Sequence, residues 1–460
     1  MSFSPPILLA AVERHLPAAA SGSLCVGFSG GLDSTALLQA LAVATRDHAH
    51  LRVRAIHIDH QIHPSSGQWQ MHCAQIADAA GVPYLTKRVS VPADCGTGPE
   101  AAARTVRYAA LRELLDAGET LITAHHADDQ LETMLLALLR GAGTHGLAGM
   151  PVCQAFGSGW HLRPLLEVTR VQIESWASDA GLQWITDPSN SNTGFSRNYL
   201  RHEVVPVLQR RWPAVATTAA RAARHLGDAN ELLDAVAAAD LAGASVGECL
   251  SVASLRALEP SRRSNMLRYW LRERGARLPS TRKLAALEHD MLAADANRLP
   301  YVAWDDFEVR RHRGLLYGGP ALPQSLSTVE PWTWDWRAAL PLGAGSGLLR
   351  TQNVRGAGLA LAKLPPTVQV GFRRGGERLQ LAGHSHRRDL KKLLQEADIL
   401  PWWRDRIPLL SHQGALIAVA DLWIAEGFAA RGEEQGVRVV WEDRPSLLAA
   451  AAGAESEDDQ

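Results

Sequence analysis

Residues 29–34 read Ser-Gly-Gly-Leu-Asp-Ser, between the apolar run SLCVGF and the run TALLQALAVA. An apolar run, a paired-glycine turn and an amphipathic run specify strand, tight loop and helix in that order. The glycines allow a sharp turn and close approach of backbone to a ligand. The loop then delivers free N–H groups at a helix N-terminus, where anions bind. Ser29 and Ser34 add hydroxyl donors. The Gly-Lys-Ser/Thr ending of a Walker loop is missing. A lone Gly-Gly would be an ordinary turn. The whole string, placed after a strand near the N-terminus, predicts a phosphate-binding loop.

The chain continues in the same alternation. SLCVGFS, RVRAIHID, PYLTKRVSV and TLITAHH read as strands, with helices at 34–45, 66–80, 99–117, 127–140 and 166–182. Strands separated by helices imply right-handed βαβ units and a parallel sheet. Ligands of such sheets bind beyond the carboxyl ends of the strands, where Ser29, Asp59 and His125 fall. Residues 141–165 are Gly-rich and read as a loop with a short hairpin, either a lid or a plain connector. The 460 residues exceed one core, so several domains are expected: 1–215 catalytic, 216–325 helical, 330–445 a small α+β unit, and 446–460 a disordered acidic tail. The fold class is therefore α/β, a Rossmann-like parallel sheet with helices on both faces, followed by the helical and α+β domains.

Five scattered cysteines, none in a Cys-x-x-Cys pair, argue against a disulfide framework or zinc site and for a reducing compartment. With no basic leader and no long apolar run, the expectation is a cytoplasmic protein that meets no membrane. The net charge of −1 hides segregation. Residues 262–283 carry eight Arg or Lys against one acid, and 373–392 carry seven against two. Both patterns suit phosphate-backbone contacts. Trp402 and Trp403 are candidates for base stacking or for core packing.

Three further strings carry chemistry. In AHHADDQLETMLLALLRGAG, His125, Asp129 and Glu132 are spaced i, i+4, i+7 and share one face if helical. Carboxylates there would hold Mg²⁺ or a cationic nucleophile, and the His would meet phosphate. A solvated helix start, where acids are favoured, is the plainer alternative. In PEAAARTVRYAALREL, Glu100, Arg104 and Arg107 share a face beside Tyr108, as a surface ion pair or as a triphosphate or tRNA clamp. In DPSNSNTGFSRNYLRHEVVP, turn chemistry explains Ser and Asn but not Arg197 and Arg201 alongside Asp187, Asn190 and Asn198. His57, His60 and His63 lack further ligands at metal spacing and are not read as a metal site.

SGGLDS resembles the pyrophosphate loop of the N-type ATP pyrophosphatases, which cleave ATP to AMP and pyrophosphate. The strings together, with RPLLEVTR, RGAGTHGLAGM and the C-terminal FRRGGERLQLAGHSHRRDLKKLLQEADILPWWRDRIPLL, resemble the tRNA(Ile)-lysidine synthetase family over the whole chain. That resemblance implies ATP-dependent adenylation of C2 of the wobble cytidine in a CAU-anticodon tRNA(Ile). Attack by the ε-amine of L-lysine follows, with lysidine, AMP and pyrophosphate as products. It implies that Ser29, Gly30, Gly31, Leu32, Asp33 and Ser34 bind ATP phosphates, and that Asp33 and Asp129 hold Mg²⁺. His125 meets the phosphates, and Asp129 and Glu132 hold the lysine amine or the metal. Arg104, Arg107 and Arg197 steady the adenylate or the lysine carboxylate. Because a lysine ammonium has a pKa near 10.4, a carboxylate such as Asp129 would accept its proton. The terminal module is expected to bind tRNA, and the family allows a homodimer or a monomer.

A 2-thiocytidine sulfurtransferase shares the loop but needs Cys-x-x-Cys pairs, and an amidotransferase needs a glutaminase domain; neither is present. A non-catalytic tRNA- or nucleotide-binding protein is the remaining alternative, against which the intact loop and carboxylates weigh.

Overall fold

A computed structural model describes residues 3–61, 65–91, 99–188, 192–293, 298–322, 330–343, 346–444 and 447–448. The chain divides into two compact units, Met1–Leu232 and Leu233–Gln460.

The first unit runs α1 (Pro5–His15), β1 (Ser23–Gly27), α2 (Leu32–Ala44), β2 (Arg52–Asp59), α3 (Ser66–Ala79), β3 (Tyr84–Arg88), α4 (Pro99–Leu114), β4 (Thr120–Ile122) and α5 (Ala127–Leu139). It continues with α6 (Thr144–Leu147), β5 (Cys153–Phe156), β6 (Gly159–Leu162), α7 (Arg170–Asp179) and α8 (Ser196–Tyr199), then a π turn at Leu200–Val204 and α9 (Val205–Arg211). The long α10 spans Val215–Ala244.

The sheet order is β3-β2-β1-β4-β6-β5, parallel except for the β5–β6 hairpin. Alternation along β1 explains the two-faced burial. Leu24 and Val26 join a core with Leu37 of α2, Ala77 of α3 and Ile173 of α7, while Cys25 joins Ile56, Leu111 of α4 and Leu121 on the opposite face. The strand order turns in both directions from β1, so a crevice opens between the ends of β1 and β4. The connections leaving those two strands carry the glycine loop and His125.

Two local devices shape that crevice. The helix expected at 166–182 begins only at Arg170, because Thr169 and Gln172 form a reciprocal capping box. The π turn lies just before Pro206, which has no N–H to give an α-helical bond. Val205 N–H reaches instead to the carbonyl of Leu200.

The second unit contains α11 (Val252–Ala257), α12 (Pro260–Glu273) and α13 (Thr281–Ala293), whose apolar faces meet at Leu255, Met266, Leu267, Trp270 and Leu287. A five-stranded antiparallel sheet accompanies these helices: Ser245–Val246, Cys249–Ser251, Leu315–Pro320, Phe307–His312 and Tyr301–Trp304. The reading of 216–325 as helical did not include it. Its central hairpin turns at Arg313 and Gly314, both with positive φ (45° and 73°). Arg-Gly is not among the usual turn signals.

Beyond residue 330, a five-stranded and a four-stranded sheet share one core around Trp334, Leu349, Val370, Ile417, Val437 and Trp441, with the helix Leu390–Glu396 packed on it. No helix among the described residues is long and apolar enough to cross a membrane.

Candidate active site

The loop after β1 is held by its own serines. Ser29 Oγ and Ser34 Oγ lie 2.9 Å apart, Ser29 N–H donates to Ser34 Oγ at 3.2 Å, and Ser34 Oγ donates to the Gly31 carbonyl at 3.1 Å. Gly30 adopts φ +80°, and a Cβ there would sit 2.7 Å from Cys73 Sγ and 2.8 Å from Ile185 Cδ1. Only glycine meets both demands. The Gly30 carbonyl accepts from Ile185 N–H at 2.8 Å, so the segment before α8 closes over the loop. Leu32 sends its side chain into the core, leaving only its backbone to a ligand.

Asp33, in the first turn of α2, has its Oδ1 buried with no hydrogen-bond partner. Burial pushes its carboxyl pKa upward against the pull of His126 and Arg170. His126, the N-cap residue of α5, sits among three carboxylates. Its Nε2 is 3.3 Å from Asp129 and 3.8 Å from Asp33, and its Nδ1 is 3.6 Å from Asp128. Burial alone would lower the His126 pKa, but Asp129, Asp128 and Asp33 outweigh it and raise it. Asp128 in turn accepts from Arg170 N–H at 2.8 Å, tying α5 to α7.

His125, Asp129 and Glu132 do not share a helical face, because α5 starts at Ala127 and His125 precedes its extended N-cap, His126. His125 Nδ1 lies 2.7 Å from Thr123 Oγ1. Burial takes its pKa down to about 3, Asp129 opposing and Arg163 adding to the fall. Asp129 accepts from His126 N–H on one oxygen (3.1 Å) and from Arg201 on the other (2.9 Å). Glu132, 1% exposed, receives Arg201 Nε at 2.6 Å and lies 3.3 Å from Arg197 Nε. Arg197 also donates to Thr133 Oγ1 at 2.6 Å. Arg104 and Arg107 stand over the Tyr108 ring at 5.0 and 5.7 Å, and of the two it is Arg107 that lines the crevice. The side chain of Glu100, and Asn190 and His63, lie outside the described residues.

The crevice is a cavity of about 760 Å³, within the range of small-molecule sites. Gly31, Asp33 and Ser34 line the cavity from the loop and His57–Gln61 from the end of β2, and Arg107, His125, Arg201 and Asp187 are among its other lining residues. His57 is buried, its Nδ1 2.9 Å from the Phe28 carbonyl, and so serves the loop. Sequence reasoning passed over His126, the second histidine of a pair, and named Arg201 without a role. The carboxylate spacing of the string Asp-Asp-x-x-Glu held the signal that a buried cation was needed.

Within the second unit, part of the basic surface is internally paired. Arg373 meets Asp405 at 2.7 Å, Arg388 meets Glu396 at 2.5 Å and Arg262 meets Asp240 at 2.5 Å. Arg268, Arg277, Arg282, Lys283, Arg387, Lys391 and Lys392 are exposed. Trp402 packs edge-on against Tyr317 (5.2 Å) beneath Arg310 (5.6 Å), and Trp403 packs on the terminal core. Both tryptophans are thus packing residues.

Residues 8–208 match the family described as PP-loop domain, 250–317 the TilS substrate binding domain and 368–441 the TilS substrate C-terminal domain. The chain is 40% identical over 420 residues to tRNA(Ile)-lysidine synthase of Coxiella burnetii, covering 91% of this chain and 93% of that one. For the enzyme of the same name in Alkalilimnicola ehrlichii the identity is 40% over 450 residues, covering 96% and 99%. For that of Pseudomonas putida it is 43% over 410, covering 86% and 92%. The similarity runs along nearly the full length of these proteins, and the chain belongs to the tRNA(Ile)-lysidine synthase family.

Proposed function

We propose that this chain uses ATP to join L-lysine to C2 of the wobble cytidine of CAU-anticodon tRNA(Ile), acting in the cytoplasm as a monomer or homodimer. The cytidine O2 attacks the α-phosphorus of ATP, expelling pyrophosphate. The neutral ε-amine of lysine then attacks C2, expelling AMP and leaving lysidine. The observation that carries this reading is the convergence of the loop, Asp33, His125 and Arg107 on one cavity at the ends of β1 and β4.

Ser29, Gly30, Gly31, Leu32 and Ser34 offer amides and hydroxyls to the phosphates. His125 and Arg107 meet charge that develops on the α-phosphate and on the departing AMP. Mg²⁺ fits the orphaned oxygen of Asp33, since the ion takes one or two carboxylates and completes its shell with phosphate oxygens and water. Bound there, it would neutralise phosphate charge. Asp129 fits less well, both of its oxygens being engaged. Asp129 and Glu132 instead anchor Arg201 and Arg197, which steady the adenylate or the lysine carboxylate. The exposed basic residues of 262–283 and 373–392 track the tRNA backbone.

The protein is to be incubated with ATP, Mg²⁺, radiolabelled lysine and unmodified CAU-anticodon tRNA(Ile), and label counted in acid-precipitable RNA. ATP-dependent label that is lost when the wobble cytidine becomes uridine is the expected result. AMP release without label would replace lysine by another nucleophile, and no ATP cleavage would favour a non-catalytic binding protein.

A further inference from the structure

Behind His125 four polar side chains form one hydrogen-bonded line. His125 Nδ1 is 2.7 Å from Thr123 Oγ1, Thr123 Oγ1 is 2.8 Å from His161 Nε2, and His161 Nδ1 is 2.9 Å from an Arg163 guanidinium nitrogen. Arg163 is fixed by donating its other terminal nitrogen to the Pro151 carbonyl at 2.8 Å. His161 is 0% exposed, Arg163 5% and Thr123 9%, so the line is largely withdrawn from solvent. The register pairs Leu121 of β4 with His161 of β6, and the two-residue repeat of a strand sends His161 and Arg163 to the same side.

The direction of every bond follows from the arginine end. A guanidinium has donors and no acceptor, so His161 Nδ1 accepts. Burial and the adjacent Arg163 hold His161 neutral, its pKa near 2. Its single ring proton is therefore on Nε2, which donates to Thr123 Oγ1. Among the described residues the threonine hydroxyl proton then has His125 Nδ1 as its acceptor. The reverse polarity would leave a buried hydroxyl proton without a partner.

We infer that Arg163, through His161 and Thr123, is a positioning residue that fixes His125 as the Nε2–H tautomer and so presents a neutral N–H donor to an anionic phosphoryl oxygen in the cavity. The opposite tautomer would aim a lone pair at that oxygen and repel it. This inference rests on the proposed place of His125 at the phosphates.

The test uses the full-length protein labelled with ¹⁵N-histidine. Long-range ¹H–¹⁵N spectra are assigned with His125→Gln and His161→Gln variants. The expected wild-type spectrum has His125 protonated on Nε2 and unprotonated on Nδ1. Thr123→Val, nearly isosteric, should give mixed tautomers at His125 and lower kcat/KM for ATP at least tenfold, a part of what loss of one transition-state donor costs. Thr123→Ser should restore both, and Arg163→Met should reproduce the mixed tautomers. A wild-type proton on His125 Nδ1, or a cationic His161, would overturn the inference even if Arg163→Met fails to fold. The expected spectra with full activity in Thr123→Val would uphold the tautomer relay and remove His125 from the phosphate site.

Discussion

Arg201 Nε lies 2.6 Å from Glu132 Oε1, and the same guanidinium reaches Asp129 at 2.9 Å, so one arginine on the π turn joins two of the three carboxylates of α5. Removing Glu132 takes away the carboxylate that Arg197 and Arg201 share, leaving Arg201 on Asp129 and Arg197 on Thr133. Breaking a buried pair from one side costs about 3–5 kcal/mol. The arginines are a quarter exposed, which places Glu132→Ala near the lower figure, about 3 kcal/mol. Chemical denaturation should show that loss with an unchanged slope. A change under about 0.5 kcal/mol would mean that the pair does not hold the π turn in place.

Gly30→Ala should abolish tight ATP binding. The new methyl group meets Cys73 and Ile185 at under 3 Å in a backbone region that costs L-residues about 1–2 kcal/mol. The loop and the Trp184–Asp187 segment must part to admit it. Calorimetric titration with a non-hydrolysable ATP analogue should show affinity weakened at least tenfold. Wild-type affinity would show that loop closure is dispensable.

Asp33→Asn keeps the shape and removes the charge of the crevice carboxylate whose Oδ1 is buried without a hydrogen-bond partner. The Mg²⁺ concentration for half-maximal AMP formation should rise at least tenfold, while Asp129→Asn should shift it far less. Equal shifts in both variants would return Asp129 to the metal.

His125 and His161 set an acid limb on stability. Burial is the main cause in both, holding them down to about 3 and about 2, whereas in the unfolded chain each titrates near 6.5. Below about pH 6.5 the unfolded state therefore binds more protons, and stability falls as pH drops towards 3; above 6.5 the contribution is constant. Unfolding free energies from pH 7.5 to 4.5 should flatten in His161→Gln. An identical slope would show that His161 is protonated in the fold.

Arg387, Lys391 and Lys392 test the second unit. Each exposed cation that contacts a tRNA phosphate should, when changed to Ala, lower the log–log salt dependence of tRNA affinity by about one. An unchanged slope in the triple variant would move the tRNA path elsewhere.

The parallel sheet and the loop were legible because their signals are local. Apolar strand, paired glycine and a largely apolar helix follow one another without interruption from Ser23 to Ala44. The carboxylates of α5 were found for their residue types, but their partners were not, since Arg201 lies 69 residues beyond Glu132 and only the fold brings them together. Helical geometry misled at His125, where the extended cap residue His126 breaks the i, i+4 relation. The sheet of residues 245–320 was illegible because it buries Glu308 and Arg311 among its apolar positions, which blurs the alternation.

His125 and His126 are neighbours in sequence, and in a random chain their rings would gain and lose protons together. The fold separates them: burial leans one towards the neutral form, and three carboxylates lean the other towards the cation. The dipeptide so holds two rings of opposite leaning side by side. Of the two it is His125 that lines the crevice, so the ring that burial keeps from a proton is the one at the site.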